Sequence, residues 1–199
     1  MSWHLKNTVQ SSQSMVAYGI SSPLYLSYGL VAHKGRCPTL VDGVAAVPSF
    51  TVMSPPMGLD YFGIFDGCFG AYSANHLVER LHIAIAKEIE SELHAEAPRF
   101  LKAGGDVDGW WRMVVREAVH VVDDELIARV FGSGVAVGSP AVVALVMKEH
   151  LVLANRGATR AVIYRGEEAV QLTSQRSPEV MLPLFSLILN LSSFQKFRD

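Results

Sequence analysis

The sequence contains few cysteines and little charge. Only Cys37 and Cys68 are present among 199 residues, too few for a disulfide framework. Charged residues make up 18% of the chain, and 17 basic against 19 acidic side chains leave a net charge of -2. This balance gives no electrostatic surface for nucleic acid or for an anionic membrane, so we expect neither as a partner.

Long hydrophobic runs are also missing. The longest, Val180 to Leu191, is shorter than the roughly 20 residues that a membrane-spanning helix needs, and it contains Pro183. The N-terminus, MSWHLKNTVQ, lacks the charged and then apolar pattern of a secretory signal. We therefore expect a cytoplasmic or nuclear protein with reduced thiols and no membrane span.

The apolar residues that are present predict strands first. Half of the residues are hydrophobic, enough to bury a core. Residues 1–15 are polar and aperiodic, which predicts a flexible leader. Short apolar runs broken by glycine and proline follow, namely MVAYGI, LYLSYGLVAH, VDGVAAVPSFTVM and then Tyr61 to Phe65, and each predicts a strand.

The middle of the chain changes to a helical period. Apolar residues recur every three or four positions from Ala71 to Glu96 and again from Trp110 to Phe131, which predicts two amphipathic helices. Strands then resume with AVVALVM, HLVLANR, RAVIYR and AVQL, joined by turns short enough for antiparallel hairpins. The predicted fold class is α+β, with two helices packed on a mostly antiparallel sheet.

The stretch YFGIFDGCFG, Tyr61 to Gly70, is the most informative for function. An apolar strand leads directly into Asp66-Gly67, so a carboxylate is set where the strand breaks into a turn. A carboxylate in that position can hold a cation. Taken alone, however, Asp-Gly after a strand is ordinary turn chemistry.

Four stretches, in order, resemble motifs of the metal-dependent type 2C protein Ser/Thr phosphatases, most closely those of plants. KGRCPTLVDGVAAVPSF is similar to their opening motif with GRR and MEDA, and YFGIFDGCFG to DGHGG. GSPAVVALV resembles their GSTA strand, and LVLANRGATRAVIYRGEEAVQLT resembles the segment around ANVGDSRAVL. The resemblance implies part of an αββα sandwich, two antiparallel sheets with helix pairs outside, whose C-terminal part is not matched.

The resemblance also implies a metal centre. In the family, carboxylates at one end of the sandwich hold two Mg or Mn ions that activate a water to hydrolyse phosphoserine or phosphothreonine. Asp66 corresponds to the aspartate that bridges the metals, and Gly67 to the glycine whose carbonyl contributes to one of them. Asp42 corresponds to the aspartate of the opening motif and can act through a water.

Other motif positions depart from the family. Arg36 is offset by one residue from the arginine that grips phosphate, which on a strand points it to the other face. The positions where the family has arginine, glutamate, histidine, glycine and aspartate carry Cys37, Val41, Cys68, Phe69 and Ala158. No match to the C-terminal metal ligands appears, so we expect Mg or Mn binding to be weak or absent.

The motifs predict three segments and leave several functions open. The segments are the leader 1–15, the N-terminal part of a type 2C phosphatase-like domain at 16–178, and a divergent apolar tail at 179–199. We expect the apolar part of this tail, Val180 to Leu191, to fold back over the face that missing strands would have covered. We predict an inactive pseudophosphatase that binds a protein or phosphoprotein. A weak or partner-completed Mn/Mg-dependent phosphatase, a fragment without function, and a zinc or redox site at Cys37, Cys68 and Asp66 are the alternatives.

Overall fold

The computed structural model describes residues 9–10, 14–20, 27–51, 59–68, 70–95, 106–131, 138–147, 150–165, 167–173 and 185–190. Phe69, most of the predicted leader and most of the predicted tail lie outside these ranges. The strands are β1 (Val9–Gln10), β2 (Ser14–Ile20), β3 (Ser27–His33), β4 (Gly43–Val47), β5 (Asp60–Phe65), β6 (Ala141–Val146), β7 (His150–Arg156), β8 (Val162–Arg165), β9 (Glu168–Gln171) and β10 (Phe185–Asn190). The helices are α1 (Ala71–His94) and α2 (Val107–Val130).

A five-stranded antiparallel sheet in the order β10-β7-β6-β5-β4 forms the centre of the fold. Gly43 pairs with Phe65, Phe65 with Ala141, and Ala141 with Arg156. Residues that flank these four strand ends therefore lie close together at one end of the sheet, which we call the Phe65 end. The predicted α+β class is confirmed.

Helices α1 and α2 cover one face of this sheet. Tyr61 and Phe65 lie on the same face of β5, as the two-residue period of a strand requires, and both are fully buried. They share one core with apolar residues of both helices, among them Leu81, Ile85, Ile89, Val114, Ala118 and Val122. Burial of a side chain of this size contributes about 1.5–3 kcal/mol, so the helix pair is held mainly by this face.

Both predicted helices are present, but their ends differ from the predicted ones. Helix α2 begins three residues before the predicted Trp110 because the side chain of Asp106 caps it, with Oδ1 accepting from Gly109 N–H at 3.0 Å. Helix α1 ends at His94, followed by Ala95 in an extended conformation. No helix in the described ranges is long and apolar enough to cross a bilayer.

A second sheet, β1-β2-β3, lies towards the other face of the central sheet. Tyr28 of β3 contacts Phe62 of β5 edge to face, with ring centroids 5.3 Å apart. Phe62 points away from the helices because it alternates with Tyr61. This arrangement brings two antiparallel sheets together, as the resemblance implied.

Segments predicted as leader and tail contribute strands. Val9 and Gln10, assigned to a flexible leader, pair with Val16 and Met15. The tail segment Phe185–Asn190 pairs with β7 along its whole length, so the prediction that it lies over the face of the sheet is wrong: it extends the sheet as a new edge strand. A segment with four apolar residues and no charge suits such pairing, which provides partners for the backbone groups of β7.

Candidate metal centre

The Asp66 loop leaves β5 at the Phe65 end of the sheet. Asp42 immediately precedes β4, and Pro140 immediately precedes β6, so the strand register brings both beside Asp66. The apolar strand therefore ends in the half-buried carboxylate that the sequence predicted. Helix α1 begins after Gly70, whose φ of 102° suits glycine.

The backbone of Asp66 is fixed from both sides. Its N–H donates to the carbonyl oxygen of Pro140 at 2.8 Å, and its carbonyl oxygen accepts from Ser139 Oγ at 2.7 Å. The side-chain Oδ1 accepts from Cys68 N–H at 2.8 Å, an Asx-type turn that sets the carboxylate orientation. Together these three bonds hold the carboxylate at the Phe65 end.

Gly67 joins the loop to the start of β4. Its N–H donates to Asp42 Oδ1 at 2.9 Å, and its carbonyl oxygen accepts from Gly70 N–H at 2.7 Å. A Cβ at this position would overlap the backbone carbonyl of Val41 and lie 2.8 Å from the Val41 side chain. The close approach explains the glycine, and it brings Asp42 beside the loop that carries Asp66.

The contacts of Ser139 and Pro140 with Asp66 were not predicted, although both residues belong to the GSPAVVALV stretch. In the sequence, the signal for these contacts was that the pair immediately precedes a predicted strand. Gly138 N–H donates to Ser73 Oγ on α1 at 3.3 Å, and Asn155 Nδ2 donates to the Ala141 and Thr159 carbonyls at 3.3 and 2.9 Å. These bonds tie the β6 entry to its neighbours on both sides.

The remaining predicted positions do not join a cluster. Arg36, Cys37, Cys68 and Ala158 are exposed, and neither cysteine forms a disulfide within the described residues. The part of the chain that the structure describes brings no three His, Cys, Asp or Glu side chains together as metal ligands. The zinc alternative at Cys37, Cys68 and Asp66 therefore gains no support.

The donors at the loop fit one hard cation better than two. Asp42 and Asp66 offer carboxylate oxygens and Gly67 a carbonyl oxygen, the ligand type that Mg and Mn prefer. One oxygen of each carboxylate already accepts a backbone hydrogen bond, and the aliphatic Val41 offers no side-chain oxygen. A single ion that keeps most of its water suits this set, whereas two ions held side by side need more ligands.

A charged network lies between α1 and α2. Arg80 donates to both carboxylate oxygens of Glu125, with Nε to Oε2 at 2.9 Å and Nη2 to Oε1 at 2.7 Å. This hydrogen bond holds the pKa of Glu125 below its usual range. His76 is buried with Nε2 3.4 Å from Glu125 Oε2, and burial, reinforced by Arg129, lowers its pKa. The network fixes the helix that follows the loop.

Comparison with known proteins identifies the family. The family model described as Protein phosphatase 2C matches residues 26–180. Protein phosphatase 2C 77 and Protein phosphatase 2C 56 of Arabidopsis thaliana are 32% and 33% identical, each over 76% of this chain but only 38% and 36% of the relative. Protein phosphatase 2C 50 of Oryza sativa subsp. japonica is 33% identical over 76% of this chain and 47% of the relative. The chain thus spans less than half the length of these relatives.

A solved structure is also similar. The crystal structure of serine-threonine phosphatase 2C from Toxoplasma gondii aligns with 87% of this chain and 56% of that one, at 13% identity and a TM-score of 0.48. The family assignment depends on the sequence comparisons. Because the family model covers most of the chain and includes the Asp66 loop, this chain belongs to the protein phosphatase 2C family.

Proposed function

We propose that this chain is a pseudophosphatase, a type 2C phosphatase-like module that binds a protein or phosphoprotein without hydrolysing phosphate. The main support for the proposal is the small number of possible metal ligands at the Phe65 end of the sheet. Asp42 and Asp66 are its matched carboxylates, and no group of three metal-binding side chains forms within the described ranges. The family's hydrolysis depends on a metal-activated water, which such a site supports poorly.

Phosphate recognition is weakened independently. A planar arginine fork suits phosphate, but the corresponding position is Cys37, whose side chain is exposed and has no charge-assisted donor to offer. Arg36, beside it, is exposed in the turn that Cys37 N–H closes onto the Lys34 carbonyl. Both metal binding and phosphate recognition are therefore weakened, which favours binding without turnover.

A single bound ion remains compatible with this proposal. The family is generally dependent on Mg or Mn, and Asp66, Asp42 and the Gly67 carbonyl are the groups of this chain that would hold such an ion. When bound, it would supply a Lewis acid and lower the pKa of a coordinated water. The chain's own contribution is to fix Asp66 through Ser139 and Pro140 and to hold Asp42 on the Gly67 N–H.

The proposed binding role gains support from apolar side chains that are exposed on the two sheets. Val31 on β3 and Ile64 on β5 are 68% and 49% exposed. Because Ile64 alternates with the buried Phe65, it belongs to the sheet face that the helices do not cover. A partner that covers these side chains would remove their apolar surface from water.

A weak or partner-completed phosphatase is the second candidate, and the intact Asp66 loop favours it. The hydrogen bonds from Ser139, to Pro140 and to Asp42 hold this loop as a working site would need. In that case a second polypeptide would add the missing ligands. The two candidates differ in one measurable property, hydrolysis that depends on both Mn and Asp66.

The deciding experiment is a phosphopeptide hydrolysis assay with Mn or Mg on the wild type, Asp66→Asn and Asp124→Asn. Asp124 is an exposed carboxylate on α2, so its variant controls for the loss of one charge. The proposal expects the same background rate from all three proteins. Hydrolysis by the wild type and Asp124→Asn that Asp66→Asn lacks would overturn it in favour of the second candidate.

The binding half of the proposal needs its own measurement. Affinity capture with the wild type and Ile64→Glu should yield a partner that the variant loses, because a charge at an exposed apolar contact prevents its burial. Direct titration of that purified partner should then give saturable binding. Capture of the same proteins by both forms would count against a specific surface at Ile64 and favour a fragment without function.

A further inference from the structure

The β8–β9 hairpin is largely exposed. Among the described strands, β8 and β9 pair only with each other. Val162, Tyr164 and Val170 are 56%, 70% and 47% exposed, and every residue of β9 is exposed. A two-stranded sheet is marginally stable in water, so a further strand at its open edge would stabilise it.

The outer edge of β9 has hydrogen-bonding groups available. Leu172 N–H donates to the Ala161 carbonyl at 2.9 Å, which continues the ladder between the two strands. Backbone groups alternate in direction along an antiparallel strand, so those of Ala169 and Gln171 point away from β8. The edge therefore presents two N–H and two carbonyl groups in the spacing that another antiparallel strand requires.

We propose that this edge binds the β9 edge of a second copy of the chain, with a twofold axis at Val170. A twofold axis between adjacent antiparallel strands is perpendicular to the sheet, so paired residues belong to the same face. Val170 then faces Val170 of the second copy, Ala169 faces Gln171, and Glu168 faces Leu172. The two hairpins form one sheet in the order β8-β9-β9-β8.

The sequence of β9 favours its own copy as the occupant. Glu168 is the only charged residue of the strand, and in this register it faces an apolar residue, so no like charges oppose each other. Ala169 and Gln171 exchange their outward hydrogen bonds. The two exposed valines meet at the non-hydrogen-bonded position, where side chains of paired strands lie closest. The small contact implies a weak, reversible dimer.

This dimer goes beyond the proposed function. It uses β9 rather than the Asp66 loop or Ile64, so it depends neither on catalysis nor on a foreign partner. Loss of self-association would leave the phosphatase and capture experiments unaffected. The two sets of results can therefore fail separately.

The test is sedimentation analysis of the full chain over a concentration range from about 1 µM to about 1 mM. The weight-average mass of the wild type should rise towards that of a dimer. Val170→Lys and Val170→Glu each place like charges across the axis and should weaken association by about threefold to tenfold. An equimolar mixture of the two variants should associate more strongly than either alone, because the introduced lysine and glutamate face each other only in the mixed dimer.

Two further variants keep the result interpretable. Ala169→Pro removes an outward N–H without touching the ladder to β8, so it should abolish the dimer while circular dichroism stays unchanged. Val162→Lys adds a charge at a similarly exposed position of β8 and should leave the dimer intact. A wild type that stays monomeric throughout, or a mixture that gains nothing over its components, would overturn the proposal.

Discussion

The N–H of Gly67 donates a 2.9 Å hydrogen bond to Oδ1 of Asp42, and this bond joins the loop after β5 to the residue before β4. It fixes the relative position of two carboxylates, since Asp66 immediately precedes Gly67. The same bond occupies one of the oxygens that a cation would use. The contact therefore contributes to the stability of the loop and limits what the loop can bind.

Gly67→Ala should destabilise the protein because the new methyl group would overlap the Val41 backbone carbonyl. A carbonyl within a folded strand entry cannot move aside as a side-chain end can. We expect a loss of about 1–3 kcal/mol in the free energy of unfolding, measured by urea denaturation. Gly29→Ala is the matched control, because nothing lies within 4 Å of a Cβ at Gly29, and its stability should be almost unchanged.

Ser139→Ala should loosen the Asp66 loop, since it removes the 2.7 Å hydrogen bond to the Asp66 carbonyl. The expected loss is about 1 kcal/mol in the free energy of unfolding. Ser139→Thr keeps a hydroxyl and should retain most of the stability. Amide hydrogen exchange at Gly67 and Cys68 provides a local readout, and exchange rates equal to those of the wild type in Ser139→Ala would contradict the positioning role.

Stability should rise with pH across the histidine range because the pKa values of His76 and His82 are lowered in the folded state. Burial is the first cause of the lowered pKa of both groups. A lowered folded pKa means that the unfolded chain binds more protons, so the stabilisation is present above the unfolded pKa of about 6.5. It is lost as the pH falls through the folded pKa.

The test measures the free energy of unfolding between about pH 5 and pH 8, a range set by the usual histidine pKa. His76→Gln and His82→Gln should each flatten the slope, and the double variant should flatten it further. Glu125 does not contribute to the pH dependence in this range, since its lowered pKa affects stability only at more acidic pH. An undiminished slope in the double variant would show that other groups cause the pH dependence.

Periodicity predicted the elements well but not their ends or their long-range pairing. The helices follow from apolar spacing in α1 and α2, and the buried Tyr61 and Phe65 follow from alternation along β5. The early start of α2 required the Asp106 cap, a contact of one side chain. The pairing of Phe185–Asn190 with β7 could not be read from either segment, because both edges of a strand accept a partner.

Only the part of the candidate site that lies in one local motif could be located from the sequence. Asp66 and Gly67 stand out in the sequence because a strand ends in Asp-Gly. The contacts of Ser139 and Pro140 with Asp66 depend on β5 and β6 being neighbours, which the sequence does not state. The resemblance placed Asp42 near this loop, but the bond to Gly67 N–H is a finding of the structure.

Proline substitutions in β10 should show whether the tail strand contributes to the sheet. Leu187 pairs with Leu153, and Ile188 pairs with the buried Val152. Because N–H groups alternate along an antiparallel edge strand, one of these two residues donates towards β7 and the other points away. Of Leu187→Pro and Ile188→Pro, one should cost about 1–3 kcal/mol of unfolding free energy and the other much less. Equal and negligible effects would argue that β10 adds no stability.

Metal stoichiometry provides the last test, because it separates a remnant site from a complete one. The oxygens of Asp42, Asp66 and Gly67 suit at most one Mn²⁺ that keeps most of its water. Titration followed by electron paramagnetic resonance of the free ion should give no more than one weakly bound Mn²⁺ per chain. Asp66→Asn should reduce that binding while Asp124→Asn leaves it intact, since only the first changes a loop carboxylate. Two ions per chain in the wild type would mean that further ligands reach this edge, and the pseudophosphatase proposal would then lose its main support.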